Sequence, residues 1–180
     1  MTIHSSHPFL EPEPDRDPVR RLRGRLGGAV SLWTAGAGSS RAGLTVTSLL
    51  VAPGDPGRVL GLVDPDSELA DAVQTTRRAV VQLLSWAHRD LADAFAGVAP
   101  APGGPFRGAG WHQTDWGPRL DGVSAWVGIR FDGVEPLEHR VGWSVLLDGV
   151  VEEVRVGEDA APLVHRRGRY VRPAAEDPPG

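Results

Sequence analysis

A glycine-rich turn begins the segment Gly36-Ala-Gly-Ser-Ser-Arg-Ala-Gly-Leu-Thr-Val-Thr-Ser-Leu-Leu50, in which hydroxyl residues then interrupt aliphatic ones. The residues before the turn, Ala29-Val-Ser-Leu-Trp-Thr-Ala35, are mostly apolar and include several β-formers. Two β-like segments joined by a turn predict a β-hairpin. Thr45 and Thr47 are two residues apart, so in a strand they lie on the same face. Their hydroxyls, with that of Ser48, predict hydrogen bonds to an elongated polar ligand such as a phosphate or a ribityl chain.

Length and composition limit the classes of function. The 180 residues suit one domain with a single sizeable core. The chain has no cysteine, which excludes disulfides, thiolate catalysis and cysteine-ligated metal sites, and it has no lysine, which excludes a Schiff base. A net charge of −4 argues against a nucleic-acid surface. No run of apolar residues is long enough for a membrane span, so we expect a cytoplasmic protein with no membrane partner.

The order of predicted elements indicates the fold class. Residues 1–17 and 173–180 are rich in proline and acidic residues and are predicted to be disordered tails around one domain of residues 18–172. Besides the hairpin, periodicity and capping residues predict helices at 18–26, 67–76 and 86–96, and strands at 58–63, 79–84, 111–116, 123–131, 141–156, 163–165 and 169–171. Strands outnumber helices, and the final run of strands argues against a doubly wound parallel sheet. We therefore predict a mainly β protein, a mostly antiparallel β-barrel with peripheral helices.

Several connections are predicted in more detail. Residues 51–57 contain two prolines and are predicted to be a loop. Residues 97–110 are rich in proline, glycine and alanine and are predicted to form a long, mobile loop. A β-bulge is predicted at Gly149. The arginine-rich helix at 18–26 is interpreted as a solvated face, with a partner or membrane surface as the alternative.

Motifs for hydrolysis and for dinucleotide binding are incomplete. The chain lacks a Gly-x-Ser-x-Gly elbow, and its glycine-rich segments do not complete Gly-x-Gly-x-x-Gly. Asp64 with Asp66, or Glu152 with Glu153, offers a carboxylate pair for catalysis, but adjacent acids after a strand more often form turns or solvated charges. Hydrolysis and a Rossmann fold are therefore disfavoured.

Five segments between about Pro18 and Arg172 resemble the flavin reductase family, whose fold is the FMN-binding split β-barrel. They are Gly28-Ala-Val-Ser-Leu-Trp-Thr-Ala35, Gly43-Leu-Thr-Val-Thr-Ser48, Leu83-Leu-Ser85 with Asp90-Leu-Ala-Asp-Ala-Phe95, Leu120-Asp-Gly-Val-Ser-Ala-Trp126 and Pro162-Leu-Val-His-Arg-Arg-Gly-Arg-Tyr170. Each segment is short, and their common order and spacing make the resemblance specific.

The resemblance implies a redox function. Bound FMN or FAD would take hydride from NADH or NADPH and pass electrons to oxygen, free flavin or a partner monooxygenase, while the protein binds and orients the cofactor. The family also implies a homodimer with the flavin at the subunit interface. Carried over position by position, the resemblance assigns cofactor binding to Gly43, Leu44, Thr45, Thr47, Ser48, Leu62, Val63, Asp64, Ser67 and Phe95, and the nicotinamide side to Trp143.

The chain departs from the family pattern at several places, which include Thr47 for a frequent serine and Pro56-Gly57 for the usual Pro-Pro. Asp64 stands where the family usually has asparagine, Glu68 where a neutral or basic residue is common, and Gln82 where an asparagine is usual. Gly142-Trp143 falls where reductases of this family often carry Asp-His beside the nicotinamide. Trp143 would either stack on flavin or nicotinamide or block the pocket. The alternative hypothesis is therefore a non-catalytic dimeric protein of the same fold that binds flavin or another ligand.

Overall fold

The computed structural model describes residues 17–133 and 136–172, so the two predicted tails, apart from Asp17, lie outside the described residues. Within this part of the chain the α-helices are α1 (Pro18–Leu26), α2 (Glu68–Thr76) and α3 (Arg89–Phe95). The strands are β1 (Gly28–Ala29), β2 (Ser31–Ala35), β3 (Ala42–Val46), β4 (Leu50–Ala52), β5 (Arg58–Val63), β6 (Arg78–Leu83), β7 (Trp111–Gln113), β8 (Pro118–Leu120), β9 (Ala125–Arg130), β10 (Arg140–Val141), β11 (Ser144–Val156), β12 (Val164–Arg166) and β13 (Arg169–Val171). None of the described helices is long and apolar enough to cross a membrane.

One antiparallel sheet forms the body of the molecule. Its strands follow the order β3-β2-β6-β9-β11-β5-β4, and β10 pairs with β11 outside this path. The two edge strands, β3 and β4, are consecutive along the chain. Because the four residue steps from Val46 to Leu50 span at most about 14 Å, the sheet has to curl until its edges approach each other. The result is a barrel, and we term the line along which β3 meets β4 and β5 the seam.

Alternate residues of the strands face two separate cores. The barrel interior holds buried apolar side chains from the strands and from α2, including Trp33, Val46, Val63, Leu69, Val73, Ile129 and Leu147. The outer core, between β2, α3 and the β12–β13 hairpin, includes Val30, Leu32, Leu84, Phe95, Phe106, Leu120 and Leu163. All five residues of β2 are buried because both faces of this strand are covered.

Local signals in the sequence predicted the helix starts correctly. The side chain of Asp17 accepts a hydrogen bond from the N–H of Val19 at 3.1 Å at the start of α1. Ser67 caps α2 by accepting from the N–H of Ala70 at 3.2 Å. β2 and β3 form the predicted antiparallel hairpin, with Ala35 paired with Ala42. The predicted fold class, a mainly β barrel with peripheral helices, is confirmed.

The structure corrects several details of the prediction. Part of the segment predicted as a loop is strand β4, which pairs with β5. The third helix starts as a 3-10 turn at Trp86–His88 before α3. The long loop contains a second 3-10 turn, Pro105–Gly108, and the side chain of Phe106 anchors it in the outer core. The register of β9 and β11 shifts between Val151 and Glu153, and not at the predicted Gly149.

Candidate functional site at the barrel seam

The outer face of β3 lies against α3. Gly43 and Thr45 both point to this face, as the alternation of a strand requires. A Cβ atom at Gly43 would lie 2.6 Å from Cε1 of Phe95, so the ring packs directly on the backbone. The hydroxyl of Thr45 donates to the carbonyl oxygen of Ala92 in α3 at 2.7 Å. Phe95 is itself buried and therefore forms a wall behind β3 rather than an open stacking surface.

Thr47 and Ser48 lie on the seam. Thr47 is exposed, whereas the Ser48 hydroxyl donates to the carbonyl oxygen of Leu62 at 3.0 Å and accepts from its N–H at 2.9 Å. In the pairing of β4 with β5, Leu50 lies opposite Leu60. The same register places Ser48 opposite Leu62, where the hydrogen bonds of the Ser48 hydroxyl replace those between backbone groups. Ser48 therefore closes the seam.

The turn after β5 leads into α2. Oδ1 of Asp64 accepts from the N–H of Asp66 at 2.9 Å, and the Ser67 hydroxyl donates to the Asp64 carbonyl oxygen at 2.7 Å. Asp64 therefore shapes the turn, as the turn-forming interpretation of this acidic pair predicts. Asp64 and Glu68 are both exposed, so solvent screens their repulsion of an anion nearby.

Two residues that the family resemblance assigns to the cofactor face the barrel interior. Leu44 packs against the interior core, and the side chain of Val63 is 2% exposed. Their side chains are therefore not available to a ligand on the outer surface. Leu62 points outward and is 36% exposed, which gives the seam a small apolar surface.

Trp143 lies at the same end of the barrel. It stands on the tight turn between β10 and β11, where Gly142 has a φ of +60°. Val145 pairs with Val63, so this turn runs beside the end of β5. The indole is 74% exposed, and the guanidinium carbon of Arg20 lies 4.7 Å from the centre of its ring. Cation–π contact with α1 thus holds Trp143 over the barrel end.

Sequence reasoning missed two groups at this site. Arg20 belongs to the helix that was interpreted as a solvated face, and tertiary packing brings it to the β10–β11 turn. Ala92 contributes its backbone carbonyl oxygen, and the identity of its side chain does not predict such a backbone contact.

The seam fits the ring and ribityl chain of a flavin by the chemistry of its groups. Thr45 and Ser48 use their single protons within the protein, and each keeps at least one oxygen lone pair with which it could accept a hydrogen bond from a ribityl hydroxyl. Thr47 adds an exposed hydroxyl, and Leu62 adds an apolar contact for a planar ring.

The phosphate end has a different balance of charge. Ser67 and the positive end of the α2 dipole favour an anion, whereas Asp64 and Glu68 oppose it. Since both carboxylates are exposed, solvent and salt screen their electrostatic repulsion of an anion.

These features define a class of protein, a split β-barrel with hydroxyl groups along its seam. The sequence model of the flavin reductase like domain matches residues 23–174, and the chain belongs to this family. Over 167 residues it is 33% identical to the NADH-dependent FMN reductase AsuE2 of Streptomyces nodosus subsp. asukaensis, covering 88% of this chain and 85% of that protein.

Solved structures of the same fold include two flavin-dependent proteins. The NADH:FAD oxidoreductase SgcE6 of Streptomyces globisporus C-1027 aligns with a TM-score of 0.78 and 22% identity over 93% of this chain and 98% of that one. BorF, the flavin reductase component of a bacterial two-component tryptophan halogenase, aligns with a TM-score of 0.73 and 19% identity over 86% of this chain and 95% of that one. At these identities the structures establish the shared fold.

Proposed function

We propose that this protein is a NAD(P)H-dependent flavin reductase that binds FMN or FAD at the seam and passes reducing equivalents to a partner monooxygenase. The observation that carries this proposal is the row of hydroxyls on the outer face of the seam, in a chain that belongs to the flavin reductase like family. A bound flavin would supply the ring that accepts hydride. The protein would bind and orient that ring and limit the access of water.

Each seam residue has a proposed role. Thr45 and Ser48 accept hydrogen bonds from the ribityl chain, Thr47 adds a third hydroxyl, and Leu62 contacts the ring. The backbone N–H groups at the start of α2, beside Ser67, take the phosphate. The backbone of Gly43, Leu44, Val63 and Asp64 and the wall formed by Phe95 complete the site.

The reductant and the acceptor are proposed from the relatives. The name of the AsuE2 protein supports NADH as the hydride donor and FMN as the flavin. The two-component halogenase to which BorF belongs supports a separate oxygenase as the consumer of reduced flavin. A cytoplasmic location follows from this proposal because reduced nicotinamide nucleotides are supplied there.

A homodimer is also proposed. Leu50 and Val51 on edge strand β4 are 68% and 66% exposed, and the apolar side chains of α1, Val19, Leu22 and Leu26, are 61–76% exposed. Apolar surface of this kind is typical of a subunit interface. Sedimentation velocity tests it, and a monomer at micromolar concentration would contradict the dimer.

Two steps test the proposed activity. FMN is first titrated into the purified protein, and we expect its fluorescence to be quenched as the ring enters the site. NADH is then added without oxygen, and the absorbance of the bound flavin is expected to bleach rapidly. Thr45→Val with Thr47→Val should weaken FMN binding about tenfold, since two hydrogen bonds are lost. Protein that neither quenches FMN nor bleaches it would refute the proposal.

One observation favours a second candidate, a non-catalytic flavin-binding protein. The exposed indole of Trp143 projects over the end of the barrel, at the position that the family resemblance assigns to the nicotinamide. Tight FMN binding without bleaching would support this candidate, and bleaching that appears only in Trp143→Ala would identify the indole as the block.

A further inference from the structure

The closing hairpin carries a group of basic side chains that the seam does not use. Arg166, Arg167 and Arg169 line a hollow of about 400 Å³ together with Tyr170 and Val171, and we term it the arginine hollow. Across residues 17–133 and 136–172, no carboxylate forms an ion pair with any of these three guanidinium groups. The described lining of the arginine hollow is therefore predominantly cationic.

Helix α1 packs beside the hairpin and adds to this charge. Nε of Arg166 donates to the carbonyl oxygen of Arg25 at 3.4 Å, which brings the two arginine-rich elements together. Burial lowers the pKa of His165 in β12, and the positive charge of Arg23 in α1 lowers it further. Positive groups from two elements thus converge on one side of a chain whose net charge is −4.

The carboxylate nearest the floor of the arginine hollow already has a partner. Tyr170 donates its hydroxyl to Asp93 of α3, and burial together with this bond raises the pKa of the Tyr170 phenol. The ring of His165 packs edge-on against that of Tyr170, with 5.7 Å between their centres. The floor therefore carries the single negative charge of Asp93 beneath three guanidinium groups.

Helix α3 joins the arginine hollow to the seam. Ala92 accepts the hydrogen bond of Thr45, and the next residue, Asp93, accepts that of Tyr170. A ligand that places a ring at the seam and extends around α3 would bring its phosphates to the arginine hollow. Dinucleotides have this shape, with an aromatic ring at each end and a pyrophosphate between.

The geometry points to the arginine hollow as a binding site for the pyrophosphate of a dinucleotide, with Arg167 and Arg169 as its principal contacts. Guanidinium groups donate paired hydrogen bonds that match phosphate oxygens, and a bound anion also relieves the repulsion among neighbouring arginines. The choice of a dinucleotide rests on the proposed function, whereas recognition of a diphosphate rests on the arginine hollow itself. NAD(P)H is the source of this group, because one phosphate of the FAD pyrophosphate is that of FMN, which the proposed function places at the start of α2.

Binding of ADP, measured by calorimetry at low salt, tests the diphosphate site directly because ADP carries neither redox ring. The double variant Arg167→Gln/Arg169→Gln should bind ADP at least about tenfold more weakly than the natural protein. The matched control is Arg155→Gln, which removes an exposed arginine whose ion pair with Glu153 lies on β11. We expect the control to bind ADP normally and all three proteins to bind FMN equally. No measurable ADP binding by the natural protein, or equal binding by the double variant, overturns the inference.

Two further measurements identify the source of the diphosphate. In the double variant, a raised KM for NADH with an unchanged affinity for FAD supports the nicotinamide dinucleotide, whereas a weaker affinity for FAD with an unchanged KM for NADH contradicts it. Loss of neither, with ADP binding unaffected, refutes the site. Failure of the natural protein to bind FMN would instead refute the proposed function, so the two failures are distinguishable.

Discussion

Replacing Gly43 by alanine tests why a glycine occupies the middle of β3. The new methyl carbon would lie 2.6 Å and 2.9 Å from two ring atoms of Phe95 and 3.2 Å from Cγ2 of Thr34. The Phe95 ring has little room to move, because its centre lies 4.8 Å from that of Phe106 and 5.7 Å from that of Trp111. Overpacking a core destabilises a protein by about 1–3 kcal/mol, whereas replacing a glycine in a strand by alanine stabilises it by about 0.5–1 kcal/mol. We expect a net loss of about 1–2 kcal/mol in the free energy of unfolding.

Urea denaturation of Gly43→Ala, Phe95→Leu and the double variant measures this effect. Leucine lacks the ring atoms that meet the methyl group, so the double variant should lose less stability than the sum of the two single losses. Gly108→Ala is a control, since its Cβ would meet nothing within 4 Å. A fully stable Gly43→Ala protein would refute the packing argument. If its stability is unchanged but FMN binding is lost, the glycine serves the approach of the ligand instead.

Three other predictions concern the seam, the barrel end and the closing hairpin. Ser48→Ala removes both hydrogen bonds to Leu62 and should lower the free energy of unfolding by about 1–2 kcal/mol. The control Ser40→Ala loses one exposed hydrogen bond to a carbonyl oxygen and should change that free energy by less than about 0.5 kcal/mol. Equal losses for the two variants in urea denaturation would contradict the closing role of Ser48. Trp143→Ala should weaken FMN binding by about 1–3 kcal/mol in a fluorescence titration if the indole stacks on the ring, and unchanged affinity would exclude that role. Burial holds the pKa of His165 below its ordinary value, so the unfolded chain takes up the proton first and stability should fall as the pH drops below about 6.5. Thermal denaturation of His165→Gln should show a smaller fall over the same pH range. An identical pH profile for the variant would show that His165 is not responsible.

Helix α1 and helix α2 could be predicted from the sequence because their signals are local. Asp17 and Ser67 cap the helices through hydrogen bonds that span two or three residues, and the apolar spacing that follows is visible in the same window. Alternation predicts correctly that Gly43 and Thr45 share the face of β3 that packs against α3. Alternation also implies that the Leu44 side chain points the other way, into the barrel, whereas the family resemblance specifies no side-chain direction.

Contacts between distant segments could not be predicted in this way. Nothing near Ser48 in the sequence indicates that its hydroxyl completes the pairing opposite Leu62, because that requires the curl of the whole sheet. The contact of Arg20 with Trp143 joins residues from opposite ends of the chain. The proline- and glycine-rich loop is held by Phe106, whose partners in the outer core come from other elements.

The way the barrel is closed has a consequence for its fluctuations. Neighbouring strands of the main sheet share backbone ladders, but the connection from β3 to β4 is bound to β5 at Leu62 through the single hydroxyl of Ser48. Transient opening should therefore begin along the seam, and the amide hydrogen of Leu62 should exchange with solvent earlier than those of the neighbouring strands. A flavin bound across the seam would oppose this opening from the outer surface. Slower exchange at Leu62 in the presence of FMN would then report occupancy without any turnover.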